Sequence, residues 1–114
     1  MACTVLVVDD HADYRALARA VLEADGFDVV GEAADGAAAI AGASDLRPDV
    51  VLLDIQLPDI DGFEVARLLR DHEDPPCVIL TSSRGRNFYR RRLTEEGAPA
   101  FVHKSELSGP ALER

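Results

Sequence analysis

Polar residues suited to phosphate chemistry follow four short apolar runs of the chain. Asp9 and Asp10 follow the first run, whereas Asp54, Thr81 and Lys104 each close a later one. If these runs are neighbouring parallel strands, their carboxyl ends meet and the five side chains share one crevice. Lys104 is also the only lysine among 12 basic residues. The residue types therefore predict a metal-assisted phosphoryl site.

The three carboxylates predict a divalent cation in that crevice. Carboxylates held close together raise each other's pKa unless a cation lies between them. Oxygen-rich sites of this kind select Mg²⁺, or Mn²⁺, over softer metals. With the charge screened, an Asp54 oxygen could attack a phosphoryl group in line and form an aspartyl phosphate. Lys104 and the Thr81 hydroxyl could then hold the other phosphoryl oxygens.

Each of these residues also has an ordinary structural interpretation. A strand-end carboxylate such as Asp54 is more often a loop cap than a nucleophile, Lys104 could be a solvated charge, and Thr81 is a good β-former. The combination favours the functional interpretation, because an uncompensated acidic cluster would cost stability.

The elements that must position this site alternate regularly along the chain. Apolar runs predict five strands, at residues 4–8, 27–31, 50–54, 77–81 and 100–104. Helical spacing predicts four helices. The first ends at Gly26, the second spans residues 35–44, the third begins at Phe63 and the fourth spans residues 87–96. This alternation predicts a doubly wound α/β fold, with a mainly parallel sheet, right-handed crossovers and helices on both faces.

Individual residues mark the limits of these elements. Asp35 is the predicted N-cap of the second helix, and Pro99 fits the entry to an edge strand, which places the fifth strand at the sheet margin. After Ser105, Gly109 and Pro110 would start only a shortened fifth helix, so we expect the chain to be a segment of something longer. Residues 1–114 are predicted to form one domain with one core.

Composition limits the classes of partner. The net charge of −9 and the pI of about 4.6 argue against direct binding of nucleic acid, whose phosphates attract Lys and Arg. No stretch has the length of a membrane span and no signal region precedes the first strand, which predicts a cytoplasmic protein without a membrane partner. Cys3 and Cys77 are expected to be small buried hydrophobes rather than disulfide or zinc ligands.

In its motifs the chain resembles the receiver domains of response regulators in two-component signalling. The matching segments extend over essentially all of the chain up to its shortened end, and they are Val7-Val8-Asp9-Asp10-His11, Asp54, Leu57-Pro58-Asp59-Ile60-Asp61-Gly62, Thr81-Ser82, Gly97-Ala98 and Phe101-Val102-His103-Lys104. Together these motifs are highly specific. The resemblance implies a flavodoxin-like sheet with strand order 2-1-3-4-5.

The resemblance also implies how the site is divided among its residues. Asp54 would be the phosphoacceptor and a ligand of Mg²⁺. Asp9, Asp10 and the backbone carbonyl of Gln56 would complete the protein's share of the metal site. Lys104, with Thr81 beside it, would contact the phosphoryl group.

A conformational switch and a set of partners follow from the same resemblance. Thr81 would move toward the phosphate and Phe101 would turn inward, which remodels the surface of the fourth helix, fifth strand and fifth helix. Gln56 and Ser83 would influence how fast the phosphate hydrolyses. The donor would be a phosphohistidine on a sensor histidine kinase or a phosphotransfer protein, and the switched surface could form a homodimer.

The implied activity is that of a phosphoacceptor rather than a turnover enzyme, with slow self-catalysed phosphorylation and dephosphorylation. The run Lys104-Ser105-Glu106-Leu107 faintly resembles regulators with a helix-turn-helix output domain, which predicts control of transcription. A stand-alone receiver in a phosphorelay is the main alternative. An aspartate-nucleophile phosphatase is less favoured, because Asp9-Asp10 lacks the Asp-x-Asp spacing that such enzymes place after the first strand. A receiver that serves only as an interaction module is disfavoured by the complete set of site residues.

Other polar residues depart from the pattern or lack a clear role. Ser105 stands where the family commonly has a proline preceded by a cis bond, so we expect a trans or strained bond after Lys104. His11 is interpreted as a loop residue leading into the first helix rather than a metal ligand. No role is assigned to His72 or His103.

Five of the 12 basic residues fall within nine positions: Arg84, Arg86, Arg90, Arg91 and Arg92. A solvated helix face paired with Glu95 and Glu96 is the favoured explanation. A partner surface is the alternative.

Overall fold

A doubly wound α/β fold carries the site in the computed structural model, which describes residues 2–97 and 100–108. The strands are β1 (Thr4–Val8), β2 (Asp28–Ala33), β3 (Val50–Asp54), β4 (Cys77–Ser82) and β5 (Ala100–His103). The helices are α1 (Ala12–Ala24), α2 (Gly36–Leu46), α3 (Gly62–Arg70) and α4 (Arg90–Glu95), with 3₁₀ turns at Arg86–Tyr89 and Lys104–Glu106. The strands are parallel in the order β2-β1-β3-β4-β5, which confirms the predicted fold class and the marginal position of the fifth strand.

Two apolar layers enclose the sheet because successive side chains of a strand point to opposite faces. In β1, Leu6 and Val8 belong to one layer, whereas Val5 and Val7 belong to the other. All four side chains are almost fully buried. Continuous apolar strands are typical of a parallel sheet covered on both faces, so β1 and β3 form the centre of the core.

The strand register brings the site residues to one edge of the sheet. Val8, the last residue of β1, pairs with Leu53, and Asp54 at the end of β3 pairs with Thr81 in β4. The residues that follow these strands therefore emerge side by side. Sequence reasoning predicted this edge from the ends of the apolar runs alone.

Helix limits agree with the predicted caps. The Asp35 side chain accepts a hydrogen bond from the Ala38 N–H at 2.8 Å, which confirms it as the N-cap of α2. Gly26 follows the end of α1 with a φ of 90°, a left-handed conformation that favours glycine. No cis peptide bond occurs in the described residues, so the bond between Lys104 and Ser105 is trans.

The fourth helix differs from its prediction over residues 87–96. Its first turn is a 3₁₀ turn, and only Arg90–Glu95 are α-helical. The buried Tyr89 hydroxyl lies 3.2 Å from the buried Ser82 Oγ, a contact that fixes this turn against β4. Leu93, one turn after Tyr89, is buried as the spacing predicted.

The prediction that both cysteines are buried is wrong for Cys77. This residue is exposed and Cys3 is half-buried. Cys77 is the first residue of β4, and burial along this strand increases from Cys77 toward Ile79. The predicted fifth helix from Gly109 and the edge-strand proline Pro99 lie outside the described residues.

Candidate functional site

Carboxylates from two central strands form the buried base of the site. Asp9 directly follows β1 and Asp54 ends β3, and both side chains are almost fully buried. Asp10 lies nearer the surface, with 35% of its side chain exposed. Oxygen atoms of these three residues and a ring nitrogen of His11 all lie within 4.8 Å of one another. The acidic residues predicted from the strand ends are thus brought together.

His11 joins this cluster, although the sequence favoured a loop residue over a metal ligand at this position. It is the N-cap residue of α1, as its interpretation as a residue leading into that helix requires. Its Nδ1 lies 3.1 Å from Asp9 Oδ1 and 3.0 Å from Asp10 Oδ1. With 69% of its side chain exposed, the imidazole covers the outer side of the acid pair.

The donor set fits a hard divalent cation. Three carboxylates converge on one point, and oxygen ligands of this number and charge suit Mg²⁺ or Mn²⁺. Such an ion would be held by Asp9, Asp10 and Asp54, and it would supply positive charge next to an attacking Asp54 oxygen.

The ammonium group of Lys104 lies between the two buried carboxylates. Its Nζ is 2.5 Å from Asp9 Oδ2 and 3.2 Å from Asp54 Oδ2, and only 15% of the side chain is exposed. Burial opposes the charged form, but the two carboxylates outweigh burial and raise the pKa of Lys104 above its usual range. The ammonium therefore stays charged at neutral pH. A fixed positive charge here can stabilise the oxygens of a phosphoryl group on Asp54.

Asp54 is held in an environment that disfavours its charge. Burial raises the pKa of the Asp54 carboxyl above its usual range, and the charge of Asp9 adds to that increase. The Gln56 N–H, which donates to Asp54 Oδ1 at 3.1 Å, and the Lys104 ammonium act in the opposite direction without cancelling it. Asp54 is therefore a buried carboxylate whose charge is only partly compensated.

Tyr14 of α1 is a site residue that was not among those predicted from the sequence. The Lys104 Nζ lies 4.7 Å from the centre of its ring, within the range of a cation–π contact. Burial and the charges of Asp9 and Asp54 raise the pKa of the Tyr14 phenol, which therefore stays protonated at neutral pH. The available signal was a tyrosine in the first turn of the helix that follows the acidic pair.

Thr81 and Phe101, the predicted switch residues, occupy neighbouring strands. Thr81 is almost fully buried opposite Asp54, and its carbonyl accepts a hydrogen bond from the Ile55 N–H at 2.9 Å. Phe101 in β5 is half-buried, with its ring centre 6.3 Å from that of Tyr89. Tyr89 thus contacts both the ring of Phe101 and Ser82, the residue after Thr81 in β4.

The loop that follows Asp54 turns back closely against β3. The Gly62 N–H donates to the Ile55 carbonyl at 2.8 Å. A Cβ atom on Gly62 would lie 2.4 Å from the Asp54 carbonyl oxygen, so only glycine permits this approach. Gln56, next to Asp54, is exposed at the rim of the site.

The arginine cluster pairs only partly as predicted. Arg91 contacts Glu95 at 3.0 Å, as expected for an exposed helix face. Arg92 instead reaches Asp61 at 2.7 Å, in the turn that begins α3. Glu96 pairs with two residues of α3, Arg67 at 2.6 Å and Arg70 at 3.4 Å, so the predicted pairing of the cluster with Glu96 is wrong.

Comparison with solved structures agrees with the observed topology. The signal receiver domain of the putative response regulator NarL from Mycobacterium tuberculosis has a TM-score of 0.86 and 34% sequence identity. That similarity covers 98% of this chain and 94% of the other.

In the part of the chain that the structure describes, no helix is both long and apolar enough to cross a membrane.

Two relatives share the same region within longer proteins. A putative transcriptional regulator of Pseudomonas aeruginosa is 45% identical over 103 residues, which is 90% of this chain and 49% of that protein. Protein-glutamate methylesterase/protein-glutamine glutaminase 6 of Anaeromyxobacter dehalogenans is 46% identical over 111 residues, 96% of this chain and 31% of that protein. The chain therefore spans half or less of the length of these relatives.

The family profile matches nearly the whole chain. The response regulator receiver domain matches residues 5–110, a range that includes the acidic cluster, strands β2 to β5 and all of β1 except its first residue. Together with the parallel sheet in the order β2-β1-β3-β4-β5, this match establishes the family. The chain belongs to the response regulator receiver domain family.

Proposed function

We propose that Asp54 accepts a phosphoryl group and that the chain acts as a single receiver domain. The observation that carries this proposal is the position of Lys104, whose ammonium contacts both buried carboxylates at the carboxyl edge of the sheet. Burying two acids beside one lysine costs stability. A site for transient phosphoryl chemistry explains why the chain maintains this arrangement.

Each site residue then has a definite task. An Asp54 oxygen attacks the phosphorus in line and the bond to the donor breaks, so that an acyl phosphate forms. Mg²⁺, or Mn²⁺ in its place, would be held by Asp9, Asp10, Asp54 and the backbone carbonyl of Gln56, and it would supply positive charge beside the phosphoryl oxygens. The Lys104 ammonium and the Thr81 hydroxyl stabilise the phosphoryl oxygens. Hydrolysis of the acyl phosphate would be slow and self-catalysed.

The phosphoryl donor in this proposal is a phosphohistidine. It would belong to a sensor histidine kinase or a phosphotransfer protein in the cytoplasm. The crevice suits such a donor because Asp10, His11 and Gln56 form an exposed rim around the buried Asp54. A phosphoimidazole can therefore approach from solvent.

The output of the domain is carried by the surface near β5. Movement of Thr81 toward the phosphoryl group would let Phe101 turn inward, and Tyr89 lies beside that ring. The similarity to a putative transcriptional regulator of Pseudomonas aeruginosa favours control of transcription, for which the proposed output domain is a helix-turn-helix domain. The similarity to a protein-glutamate methylesterase favours a different output. A stand-alone receiver in a phosphorelay is the alternative.

The same surface could support a homodimer. Phe88 is 61% exposed, and the Arg84 guanidinium lies 4.2 Å from the centre of its ring. Arg90 and Arg91 are exposed beside it on a chain that is otherwise acidic. Replacing Arg90, Arg91 and Arg92 with alanine should weaken dimerisation of the phosphorylated protein in analytical ultracentrifugation. Unchanged self-association and unchanged partner binding would contradict a role for this surface.

Intact-mass spectrometry with a small phosphodonor tests the phosphoacceptor function. The protein should gain one labile phosphoryl group in the presence of Mg²⁺. A chelator should prevent the adduct, and Asp54→Asn should not form it. Turnover of added phosphoesters without an adduct would favour the aspartate-nucleophile phosphatase instead.

A further inference from the structure

The loop between β3 and α3 is attached to the start of α2 by the side chain of Asp59. Asp59 Oδ1 accepts a hydrogen bond from the Gly36 N–H at 2.7 Å, and Oδ2 accepts one from the Ala37 N–H at 2.9 Å. These donors hold the pKa of Asp59 below its usual range. The side chain is exposed to solvent, yet both of its oxygens accept a bond from another element of the fold.

Helix α2 has a local N-cap as well. Asp35 accepts a hydrogen bond from the Ala38 N–H at 2.8 Å. The first N–H groups of a helix have no intrahelical partner, and a single capping side chain ordinarily satisfies one of them. Asp35 fulfils that role from the position directly before α2. The bonds to Asp59 therefore do something that Asp35 does not, because they join the helix to a distant loop.

Close packing at Gly36 reinforces this attachment. A Cβ atom on Gly36 would lie 2.4 Å from Ile60 Cγ1 and 3.0 Å from Val65 Cγ2. The loop residue after Asp59 therefore lies directly on the first residue of α2. A side chain at position 36 would therefore require the Ile60 side chain to move.

The attached loop is the one that carries Gln56. The Gln56 N–H donates to Asp54 Oδ1 at 3.1 Å, and at the other end of the loop the Gly62 N–H donates to the Ile55 carbonyl at 2.8 Å. Both ends of the loop are thus held against β3, and its middle is held by α2 through Asp59. Leu57 and Ile60 also pack against the apolar core, and the bonds of Asp59 add a polar link between the middle of the loop and α2.

We propose that Asp59 is a positioning residue for the metal site. By holding the loop on α2, it keeps the Gln56 backbone in place beside Asp54, so that less conformational entropy is lost when a divalent ion binds. This inference rests on the proposed function, in which the Gln56 carbonyl is a metal ligand. Asp59 itself does not touch the ion.

Isothermal titration of the intact chain with Mg²⁺ tests the inference. Asp59→Ala should raise the Kd for Mg²⁺ roughly tenfold, the lower end of the effect of residues that orient metal ligands. Gly36→Ala, which leaves Asp59 in place but displaces Ile60, should also raise the Kd. The matched control is Asp35→Ala, which removes a cap from the same helix without touching the loop and should leave the Kd within twofold of wild type.

Amide hydrogen exchange gives a second readout that does not depend on the metal. In Asp59→Ala, the Gln56 amide should exchange faster than in wild type, whereas in Asp35→Ala it should exchange at the wild-type rate. Thermal unfolding of both variants establishes that they are folded. If Asp59 acts only as a helix cap, as Asp35 does, then Asp59→Ala and Asp35→Ala should behave alike in Mg²⁺ titration, amide exchange and thermal unfolding.

The outcomes separate this inference from the proposed function. Wild-type Mg²⁺ binding that is equally strong in Asp59→Ala would overturn the inference alone, as would an equal loss in Asp59→Ala and Asp35→Ala. A wild-type protein that binds no Mg²⁺ would overturn the proposed function and the inference with it. Weaker binding confined to Asp59→Ala and Gly36→Ala would support both.

Discussion

The carboxyl edge of the sheet and the surface of α4 both concentrate charged side chains, but they differ in burial. At the edge, Asp9 and Asp54 are almost fully buried and share the single ammonium of Lys104. On α4, 91% of the Arg91 side chain and 46% of the Arg92 side chain are exposed, and each contacts its own carboxylate. Exposed pairs are screened by water and contribute little, whereas buried charges depend strongly on their partners. We therefore expect charge substitutions to change the free energy of unfolding strongly at the edge of the sheet and only slightly on α4.

The comparison is tested most strongly by removing the buried cation. Lys104→Met should lower the free energy of unfolding by about 3 kcal/mol at neutral pH, because it leaves two buried carboxylates without their common partner. Urea unfolding followed by circular dichroism measures this loss. Added Mg²⁺ should restore part of it, since an ion that binds the folded state stabilises that state. A loss that is negligible would show that the edge charges are hydrated like those of α4.

Removing one of the buried acids should have the opposite sign. Asp54→Asn should raise the free energy of unfolding by about 1 kcal/mol at neutral pH, because burial raises the pKa of Asp54 and its charged form is destabilising. The amide oxygen can still accept from the Gln56 N–H. Asp61→Asn is the control, since asparagine also caps α3 and only the exposed pair with Arg92 is lost. That variant should be slightly less stable than wild type.

The pH dependence of the Asp54→Asn effect follows from the same pKa. The folded-state pKa of Asp54 is above its ordinary value of 3.8, so the folded protein binds more protons between these two values. The advantage of Asp54→Asn should therefore be complete above the raised pKa and should disappear as the pH falls to about 3.8. Unfolding curves measured at a series of pH values test this. An advantage that grows as the pH falls would contradict the assigned direction.

Glu32 is intermediate in exposure between the two regions, with 32% of its side chain exposed. Its pKa is lowered, whereas that of Asp54 is raised. Its carboxylate accepts from Arg19 Nε at 2.9 Å and Arg15 Nε at 3.1 Å, and the hydrogen bond from Arg19 is the main cause of its lowered pKa. Glu32→Gln should cost at most about 0.5 kcal/mol at neutral pH, because solvent screens the pair. For a carboxyl with a lowered pKa, the stabilisation is complete above the ordinary value of 4.5 and is lost as the pH falls through the folded-state pKa. The difference from wild type should vanish in acid.

The smallest effect is expected on α4. Arg91→Met removes a cation whose side chain is 91% exposed and whose partner Glu95 is also largely exposed. The urea midpoint should stay within experimental error of wild type, in contrast to the same change at Lys104. A substantial loss would mean that the exposed pair contributes as much as the buried one.

Prediction from sequence succeeded where the governing interactions are local or follow from strand patterning. The consecutive apolar residues of β1 and β3 indicated strands buried on both faces, and the residues after them indicated the edge where Asp9 and Asp54 meet. The N-cap at Asp35 followed from its residue type and position. Because parallel strands end at one edge, the positions of these residues were largely fixed by topology.

Prediction failed where partners are distant in sequence. Arg92 pairs with Asp61, 31 residues earlier in the chain. Asp59 accepts hydrogen bonds from Gly36 and Ala37, which precede it by 23 and 22 residues. Such contacts depend on how the loops and helices pack, which no local pattern encodes. The 3₁₀ start of the fourth helix also depends on a tertiary contact, between Tyr89 and Ser82. The cation–π contact of Tyr14 with Lys104 belongs to the same class.

Reductive trapping tests most directly whether Asp54 is the residue that becomes phosphorylated. Borohydride reduces an aspartyl phosphate to homoserine with loss of phosphate, so the modified position can be read by peptide sequencing in a mass spectrometer. After incubation with Mg²⁺ and a small phosphodonor, homoserine should appear at position 54 and at no other aspartate. Homoserine at position 9 or 10, or a phosphoryl adduct that leaves Asp54 unmodified, would contradict the account.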